Sequence, residues 1–193
     1  FAHLTPDVEV SELARTLCDD VEAMAPGRWS LDLRARGTAT LDVERLRQAT
    51  GHLARNGLQH GDGPLTLTVA PGTDGYGRSG LEISVTDRGP GLSDDDVDWL
   101  FERFTHGEAD GRPRGSGLGL AIVRAIADAH DGTVFAVSAS GQGATVGLRI
   151  PADSSWNLSS DPDPAVAVSP ATAPSSRTSA ATAPRVSDGE PAA

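Results

Sequence analysis

The hydrophobic and polar positions along the chain follow two periods, one typical of helices and the other typical of strands. Apolar residues recur at three- to four-residue spacing in three segments, which predicts helices over residues 7–24, 43–59 and 117–130. They alternate with polar residues in shorter segments, which predicts strands beginning at Trp29, Leu65, Leu81, Thr133 and Ala144. Helices and strands follow one another without regular βαβ spacing, so we expect an α+β fold. It would be a two-layer sandwich with about three helices on one face of a mixed, mostly antiparallel sheet.

The first two predicted helices have well-defined apolar faces. The face of the first comprises Val10, Leu13, Ala14, Leu17 and Val21. The second helix follows Asp42, which is a suitable N-cap, and its apolar face comprises Leu46, Ala49, Leu53 and Gly57. On an adjoining face of this helix, polar side chains fall three or four residues apart, namely His52, Asn56 and either Gln59 or His60.

Other segments lack this periodicity. Residues 105–114 have no apolar face and carry glycine, which predicts a mobile lid. A serine followed by three aspartates predicts a short helix over residues 93–100. After Ile150 the composition changes to Pro, Ala, Ser and Thr, which predicts a disordered tail over residues 152–193. Packing of Trp156 and Leu158 on the domain is left open as the alternative.

Composition and charge narrow the possible classes of function. The chain has 193 residues and a formal net charge of −11, which disfavours nucleic-acid binding because phosphate would be repelled. All 16 basic residues are arginine, so this chain cannot supply the lysine of a P-loop, of a eukaryotic-type protein kinase core or of a Schiff base. Cys18 is the only cysteine, which excludes disulfides and multi-cysteine zinc sites within the chain. Phe1 stands where a start methionine would be expected, which suggests a fragment of a longer chain.

Two glycine-rich clusters frame the most distinctive part of the sequence. The first, Asp87-Arg88-Gly89-Pro90-Gly91, follows a predicted strand, so the carboxylate is held at the end of that strand. The second, Gly115-Ser116-Gly117-Leu118-Gly119-Leu120, opens the third helix, where free amides and the helix dipole favour an anion. Each cluster alone is a weak signal, because glycines after a strand are usually part of a turn. Together they predict a ligand site over which the intervening residues fold.

With these clusters the chain resembles the ATP-binding catalytic domain of bacterial sensor histidine kinases, in the Bergerat-fold ATPase superfamily. The resemblance covers roughly residues 8–151 and rests on five motifs that occur in the family's order. They are similar to the asparagine box at residues 47–60, the first glycine box at 87–91, the phenylalanine box at 100–104, the second glycine box at 115–120 and the last glycine box at 141–145.

The resemblance implies a role for each candidate residue. Asp87 would accept the amino group of adenine, with Thr145 helping through a water. Asn56 would act in catalysis by coordinating the Mg²⁺ that bridges the phosphates of ATP, and His52 is a second candidate catalytic residue. Phe101 and Phe104 would anchor the lid, although ordinary core packing is an alternative for both. The remaining nucleotide-binding candidates are His60, Gly89, Gly91, Gly115, Ser116, Gly117, Leu118, Gly119 and Leu120.

The chain also departs from the family pattern on the second helix. His52 stands where the family often has another asparagine or an acid, and Gln59 stands where a lysine or arginine usually meets the phosphates. Gly57 replaces a helix-favouring alanine, at a cost to the helix of about 1 kcal/mol. His60 at the helix end is either a phosphate contact or a capping residue.

The resemblance implies a two-component histidine kinase domain that donates the γ-phosphoryl group of ATP to a histidine on a dimerisation module absent from this chain. Residues 1–7 would be the end of that module's helix or a linker, and residues 8–151 the catalytic domain. The domain would be cytoplasmic, whether or not the full-length protein is membrane-anchored. That protein would be a homodimer with a response regulator as partner and no nucleic acid. Two alternatives stay open, a nucleotide-binding domain with weakened catalysis and an anti-sigma-factor-like serine kinase or binding module on the same fold.

Overall fold

The computed structural model describes residues 3–61, 63–92, 100–102, 118–138, 141–152 and 156–159. Within these ranges it has three helices, α1 (Val10–Met24), α2 (Val43–His60) and α3 (Gly119–Asp128). The same ranges contain eight strands, β1 (Thr5–Glu9), β2 (Trp29–Leu33), β3 (Arg36–Leu41), β4 (Leu65–Thr73), β5 (Ser79–Thr86), β6 (Thr133–Ser138), β7 (Ala144–Pro151) and β8 (Asn157–Ser159). None of the three helices is both long enough and apolar enough to cross a membrane.

Five strands form the main sheet in the order β2-β4-β5-β7-β6. The β2–β4 pair is parallel and the other pairs are antiparallel. The register sets Leu67 opposite Val85, and Val85 opposite Val146, all three of them buried. Because alternate residues of a strand point to opposite faces, these side chains form one apolar face, against which the helices pack. The prediction of an α+β two-layer sandwich with a mixed, mostly antiparallel sheet is confirmed.

The first two helices bury the faces that periodicity predicted. In α1 the buried residues are Val10, Leu13, Ala14, Leu17 and Val21, and α2 buries Thr50 and Ala54 beside its predicted face. Asp42 caps α2, since its Oδ1 accepts a hydrogen bond from the backbone N–H of Arg45 at 3.1 Å. Helix α1 begins at Val10 rather than at residue 7, because the residues before it pair as a strand.

A second, small sheet combines β1, β3 and β8 in the order β1-β3-β8, and periodicity did not reveal it. Strand β1 pairs with β3, so residues 5–7 lie in this sheet and not in a helix, while the assignment of residues 1–7 to a linker stays a prediction. Strand β8 pairs with the other edge of β3, with Leu158 opposite Gly37. Trp156 packs partly buried against the core. Residues 156–159 thus follow the alternative left open for Trp156 and Leu158, whereas residues 153–155 and 160–193 lie outside the described residues, so the tail there stays a prediction.

The glycine-rich residues 71–80 would be expected from their composition to form a loop, but residues 71–73, 79 and 80 are paired as parts of β4 and β5. The remaining turn is organised by Asp74, whose Oδ1 accepts hydrogen bonds from the backbone N–H groups of Tyr76 and Arg78, both at 2.9 Å. Its Oδ2 accepts from Nε of Arg78 at 2.7 Å. Of the helix predicted over residues 93–100 only Leu100 is described, in a turn, and the predicted lid at 105–114 lies outside the described residues.

Candidate functional site

Asp87 lies at the end of β5 and is only 6% exposed. Its backbone N–H donates to the carbonyl of Ala144 at 2.9 Å, which continues the β5–β7 ladder by one residue. Its Oδ1 accepts the N–H of Gly89 at 2.8 Å and the N–H of Ala144 at 3.3 Å. Both described hydrogen bonds of the carboxylate therefore reach the same oxygen, and within the described chain Oδ2 has no hydrogen-bond donor. The second oxygen of this buried carboxylate can therefore still accept a hydrogen bond.

Three glycines bring backbone into contact with this carboxylate and its own backbone. A Cβ built on Gly61 would lie 2.4 Å from Cβ of Asp87, and one built on Gly143 would lie 2.1 Å from the carbonyl oxygen of Asp87. A Cβ on Gly89 would lie 2.6 Å from the carbonyl oxygen of His60 and 3.1 Å from Oδ1 of Asp87. A side chain would not fit at any of these three positions. Glycine therefore allows the end of α2, the loop after β5 and the loop before β7 to pack closely around Asp87.

Helix α2 ends beside Asp87 and carries the predicted polar residues. Asn56 and His52 are half-buried, whereas Gln59 and His60 are exposed. The ring of His52 faces the first residue of α3, since a Cβ built on Gly119 would lie 3.4 Å from its Nδ1. Burial lowers the pKa of His52, and the nearby charge of Arg55 lowers it further, so the neutral imidazole is favoured at this position.

Gly57, a departure from the family pattern, has a packing explanation. A Cβ built on it would lie 3.1 Å from Cδ2 of Leu65 and 3.1 Å from Cγ1 of Val85. The glycine therefore lets α2 approach β4 and β5 closely at Leu65 and Val85. The loss of helix propensity is offset by this close packing.

The second glycine cluster is described only at its end. Helix α3 begins at Gly119 after Leu118, which makes no side-chain capping hydrogen bond, and Leu120 is buried. Gly115, Ser116, Gly117 and Phe104 lie outside the described residues, so their predicted roles stay predictions. Phe101 is 8% exposed and belongs to the core, which supports its packing role. Glu102, which follows it, pairs with Arg124 of α3 at 3.2 Å.

The geometry gives Thr145 less support than Asp87. Its hydroxyl lies 2.9 Å from that of Thr86, its partner across the β5–β7 pair. Because Ala144 and Val146 are buried in the core, Thr145 between them points to the opposite face of the sheet. The group of β7 that reaches Asp87 is instead the backbone of Ala144. Gly91 has a φ of +79°, which suits glycine in the loop after Asp87.

Sequence reasoning missed two residues of this site. Gly61 directly follows α2, where a glycine ordinarily indicates only the end of a helix, and its contact with Asp87 depends on the fold. Ser138, at the end of β6, accepts the backbone N–H of Leu92 at 2.7 Å and donates to the carbonyl of Gly143 at 2.9 Å. A single serine at a strand end carries no local signal, so only its position in the sheet reveals it.

The described residues contain no cluster of three or more His, Cys, Asp or Glu side chains that could hold a metal ion. They do offer Asn56, whose amide oxygen is a hard ligand of the kind that Mg²⁺ accepts. Mg²⁺ usually keeps several waters and takes few protein ligands when phosphates supply the rest. The donor set therefore fits a metal that arrives with a nucleotide rather than one held by the protein alone.

Residues 41–154 match the family described as histidine kinase-, DNA gyrase B-, and HSP90-like ATPase, which covers more than half of the chain. The chain belongs to this ATPase family, and the resemblance inferred from the five motifs is confirmed.

Two curated relatives are named as histidine kinases. The signal transduction histidine-protein kinase AfsQ2 of Streptomyces coelicolor is 37% identical over 162 residues, covering 82% of this chain and 28% of AfsQ2. The sensor histidine kinase component HK1 of Mycobacterium tuberculosis is 36% identical over 113 residues, covering 58% of this chain and 64% of that protein. The chain thus spans between about a quarter and two thirds of the length of these relatives.

Solved structures share the fold. The crystal structure of full-length ShkA in complex with AMPPNP matches with a TM-score of 0.64 and 29% identity, covering 84% of this chain and 33% of that one. The mycobacterial sensor histidine kinase MprB matches with a TM-score of 0.60 and 22% identity, covering 77% of this chain and 98% of that one. The second likeness is one of fold alone.

Proposed function

We propose that this chain is the ATP-binding catalytic domain of a two-component sensor histidine kinase. It donates the γ-phosphoryl group of ATP to a histidine on a dimerisation module outside the chain. The observation that carries the proposal is the arrangement of Asp87, whose Oδ1 is held by two backbone amides inside a tight ring of glycines while Oδ2 is left for a ligand. Membership of the ATPase family and the sensor-kinase relatives support it.

In this proposal Oδ2 of Asp87 accepts a hydrogen bond from the amino group of adenine. An ionised carboxylate only accepts hydrogen bonds, so it matches an amino group and repels a carbonyl oxygen at the same place. The backbone of Ala144 and Gly89 fixes the orientation of the carboxylate through Oδ1. Burial excludes water that would otherwise compete for the carboxylate.

The phosphates lie between α2 and the start of α3. The chain has no lysine, so the negative charge must be met by a metal, arginine and backbone amides. The amide groups at the start of α3 are suited to an anion, and Asn56 would hold Mg²⁺. Bound Mg²⁺ would neutralise charge on the phosphates. His52 faces the start of α3, and its lowered pKa favours the neutral imidazole. A neutral ring there would not repel a bound Mg²⁺.

A domain with weakened catalysis is the second candidate, and a specific observation favours it. Gln59 stands where the resemblance leads one to expect a cation, and its neutral amide supplies no positive charge to the phosphates. His52 would also have to act without charge. Both candidates bind ATP, and only the first transfers phosphate.

A phosphotransfer assay with radiolabelled ATP distinguishes the two candidates. The purified chain alone should acquire no label. The expected phosphate acceptor is a histidine that lies in a helix pair of the dimerisation module, and the described residues contain no histidine in such a setting. Addition of a separately purified histidine-bearing dimerisation module, with Mg²⁺, should yield acid-labile phosphate on that module. Label that appears on this chain by itself would contradict the proposal, and nucleotide binding without any transfer would favour the weakened domain. The proposed partners are that module, a response regulator and a second copy of the full-length protein, in a cytoplasmic setting.

A further inference from the structure

The loop that follows Asp87 is fastened to the β6–β7 hairpin at three places. Asp87 and Ala144 exchange two hydrogen bonds, one through the carbonyl of Ala144 and one through Oδ1 of Asp87. Gly141 donates its N–H to the carbonyl of Pro90 at 2.7 Å. The third connection passes through the hydroxyl of Ser138, and it is the one made by a side chain other than Asp87 itself.

The hydroxyl of Ser138 uses both its acceptor and its donor. It accepts the N–H of Leu92 at 2.7 Å, and it donates to the carbonyl of Gly143 at 2.9 Å. The side chain of Ser138 therefore bridges Leu92, at the far end of the loop after Asp87, and Gly143. The backbone of Gly143 lies so close to the carbonyl oxygen of Asp87 that an added Cβ would overlap it. Both bonds are short and the side chain is half-buried, so water replaces them poorly.

The orientation of Ser138 follows from the register of the sheet. Ser138 pairs with Ala144, and its neighbour Val137 pairs with Thr145 on the opposite face of the sheet, where Val137 is 62% exposed. Since side chains alternate along a strand, Ser138 lies on the same face as Ala144 and Asp87. It is thus aimed at the site and not at the outer surface of the sheet.

We propose that Ser138 is a positioning residue of the nucleotide site. It holds the loop of residues 87–92 against the β6–β7 hairpin, and so it fixes the direction in which Oδ2 of Asp87 points. The inference rests on the proposed function, because it assigns to Ser138 the orientation of the adenine-binding carboxylate. Ser138 itself touches neither the nucleotide nor the metal in this account.

The test compares two serine-to-alanine variants in calorimetric titrations with ADP. Ser138→Ala removes the bridge and should weaken ADP binding by about 3- to 10-fold, the equivalent of one or two neutral hydrogen bonds. Ser30→Ala is the matched control, because the hydroxyl of Ser30 also makes two described contacts, 3.3 Å to the carbonyl of Leu65 and 3.0 Å to Thr66, but at the other edge of the sheet. It should change ADP affinity by less than about twofold. Ser138→Thr keeps the hydroxyl and should recover most of the affinity.

A double-substitution cycle separates positioning from general stability. In an Asp87→Asn background the Ser138→Ala change should have an effect smaller than about twofold, because the group that it positions has already been altered. An undiminished effect in that background, or ADP affinity equal to that of the unsubstituted chain in Ser138→Ala alone, would overturn the inference and leave the proposed function standing. If Ser138→Ala does not fold, Ser138→Cys, which keeps the shape with a weaker donor, takes its place with the same expected order of affinities.

Amide hydrogen exchange without nucleotide gives a readout that does not depend on the proposed function. Ser138→Ala should accelerate exchange at the N–H groups of Gly89 and Leu92 while leaving the N–H groups within α1 unchanged. Faster exchange throughout the domain would instead indicate a merely structural role and would overturn the inference. Failure of the unsubstituted chain to bind ADP would overturn the proposed function and the inference together, so the two failures are distinguishable.

Discussion

The end of the main sheet around Asp87 and the small sheet of β1, β3 and β8 are specified by the sequence in different ways. At Asp87 the contacts depend on glycine, because the lack of a side chain at Gly61, Gly89 and Gly143 allows their backbone to approach this one residue. In the small sheet the contacts are ordinary strand pairings between residues distant in sequence, such as Gly37 with Leu158. A glycine is visible in the sequence even where the atom that it approaches is not, whereas a distant pairing partner leaves no local signal at all.

The largest effect expected from this contrast is on nucleotide affinity after Asp87→Asn. A hydrogen bond to a charged group contributes about 1.5–3 kcal/mol, so ADP binding should weaken by roughly 10- to 150-fold in calorimetric titration. The asparagine amide can donate as well as accept, so the preference for ADP over GDP should narrow at the same time.

The ratio of the two affinities separates this role from a turn. Oδ1 of Asp87 already accepts the N–H of Gly89, and an asparagine oxygen can do the same. If the carboxylate served only the turn, the substitution would affect ADP and GDP alike. An unchanged ratio of ADP to GDP affinity would therefore remove Asp87 from the adenine contact.

The next largest effect is expected when a methyl group is placed on one of the glycines. Gly61→Ala would set Cβ 2.4 Å from Cβ of Asp87, and relief of this overlap should cost about 1–3 kcal/mol of unfolding free energy and displace the carboxylate. Gly51→Ala is the control, because Gly51 lies within α2, the helix that Gly61 follows, and a Cβ built on Gly51 would have no other atom within 4 Å. It should stabilise the domain by about 1 kcal/mol without changing ADP affinity.

Urea unfolding and ADP titration of the two variants measure both quantities. The contrast predicts a loss of stability and of affinity for Gly61→Ala, and a gain of stability alone for Gly51→Ala. Equal ADP affinities in the two variants would show that the site tolerates a displaced Asp87. That result would argue against the idea that close backbone packing determines the geometry of the nucleotide site.

The small sheet is tested by shortening the chain. Ending it after residue 152 removes Trp156 and β8, whereas ending it after Ser159 retains both. Trp156 is partly buried against the core, so the shorter chain should have an unfolding free energy lower by about 1–2 kcal/mol than the longer one. Equal stability of the two chains would indicate that β8 adds nothing to the domain.

Most of the main fold could be predicted from local pattern, and the residues show why. The buried faces of α1 and α2 follow helical periodicity, and Asp42 and Asp87 stand at the helix start and the strand end that their neighbours indicate. The β1 strand was missed because its five residues precede α1 directly and Asp7 has a φ of +54°, which interrupts the alternation with an irregular register.

Sequence reasoning proposes a site residue where the side chain would act through its own type, and it misses a residue whose contacts depend on its place in the fold. Asp87 and Asn56 carry chemistry that a motif can express. Ser138 accepts the hydrogen bond of Leu92 only because the register of β6 and β7 directs its hydroxyl toward the loop after Asp87. Thr145 was assigned from a motif, but strand alternation turns its side chain toward Thr86. Position along a motif does not determine which face of the sheet a side chain takes.

The smallest expected effect is that of Gly57→Ala, and its sign decides how closely α2 must pack on the sheet. Alanine favours the helix by about 1 kcal/mol over glycine, but its Cβ would lie 3.1 Å from both Leu65 and Val85, which are buried. Crowding of this degree offsets the gain, so the unfolding free energy should fall by no more than about 1 kcal/mol in urea unfolding. Val85→Ala removes one of the two crowded atoms. In that background Gly57→Ala should be less destabilising than in the unsubstituted chain, because only the contact with Leu65 still opposes the helix preference. A stabilising effect in the unsubstituted chain would show that the glycine is not needed for the close packing of α2 on β4 and β5.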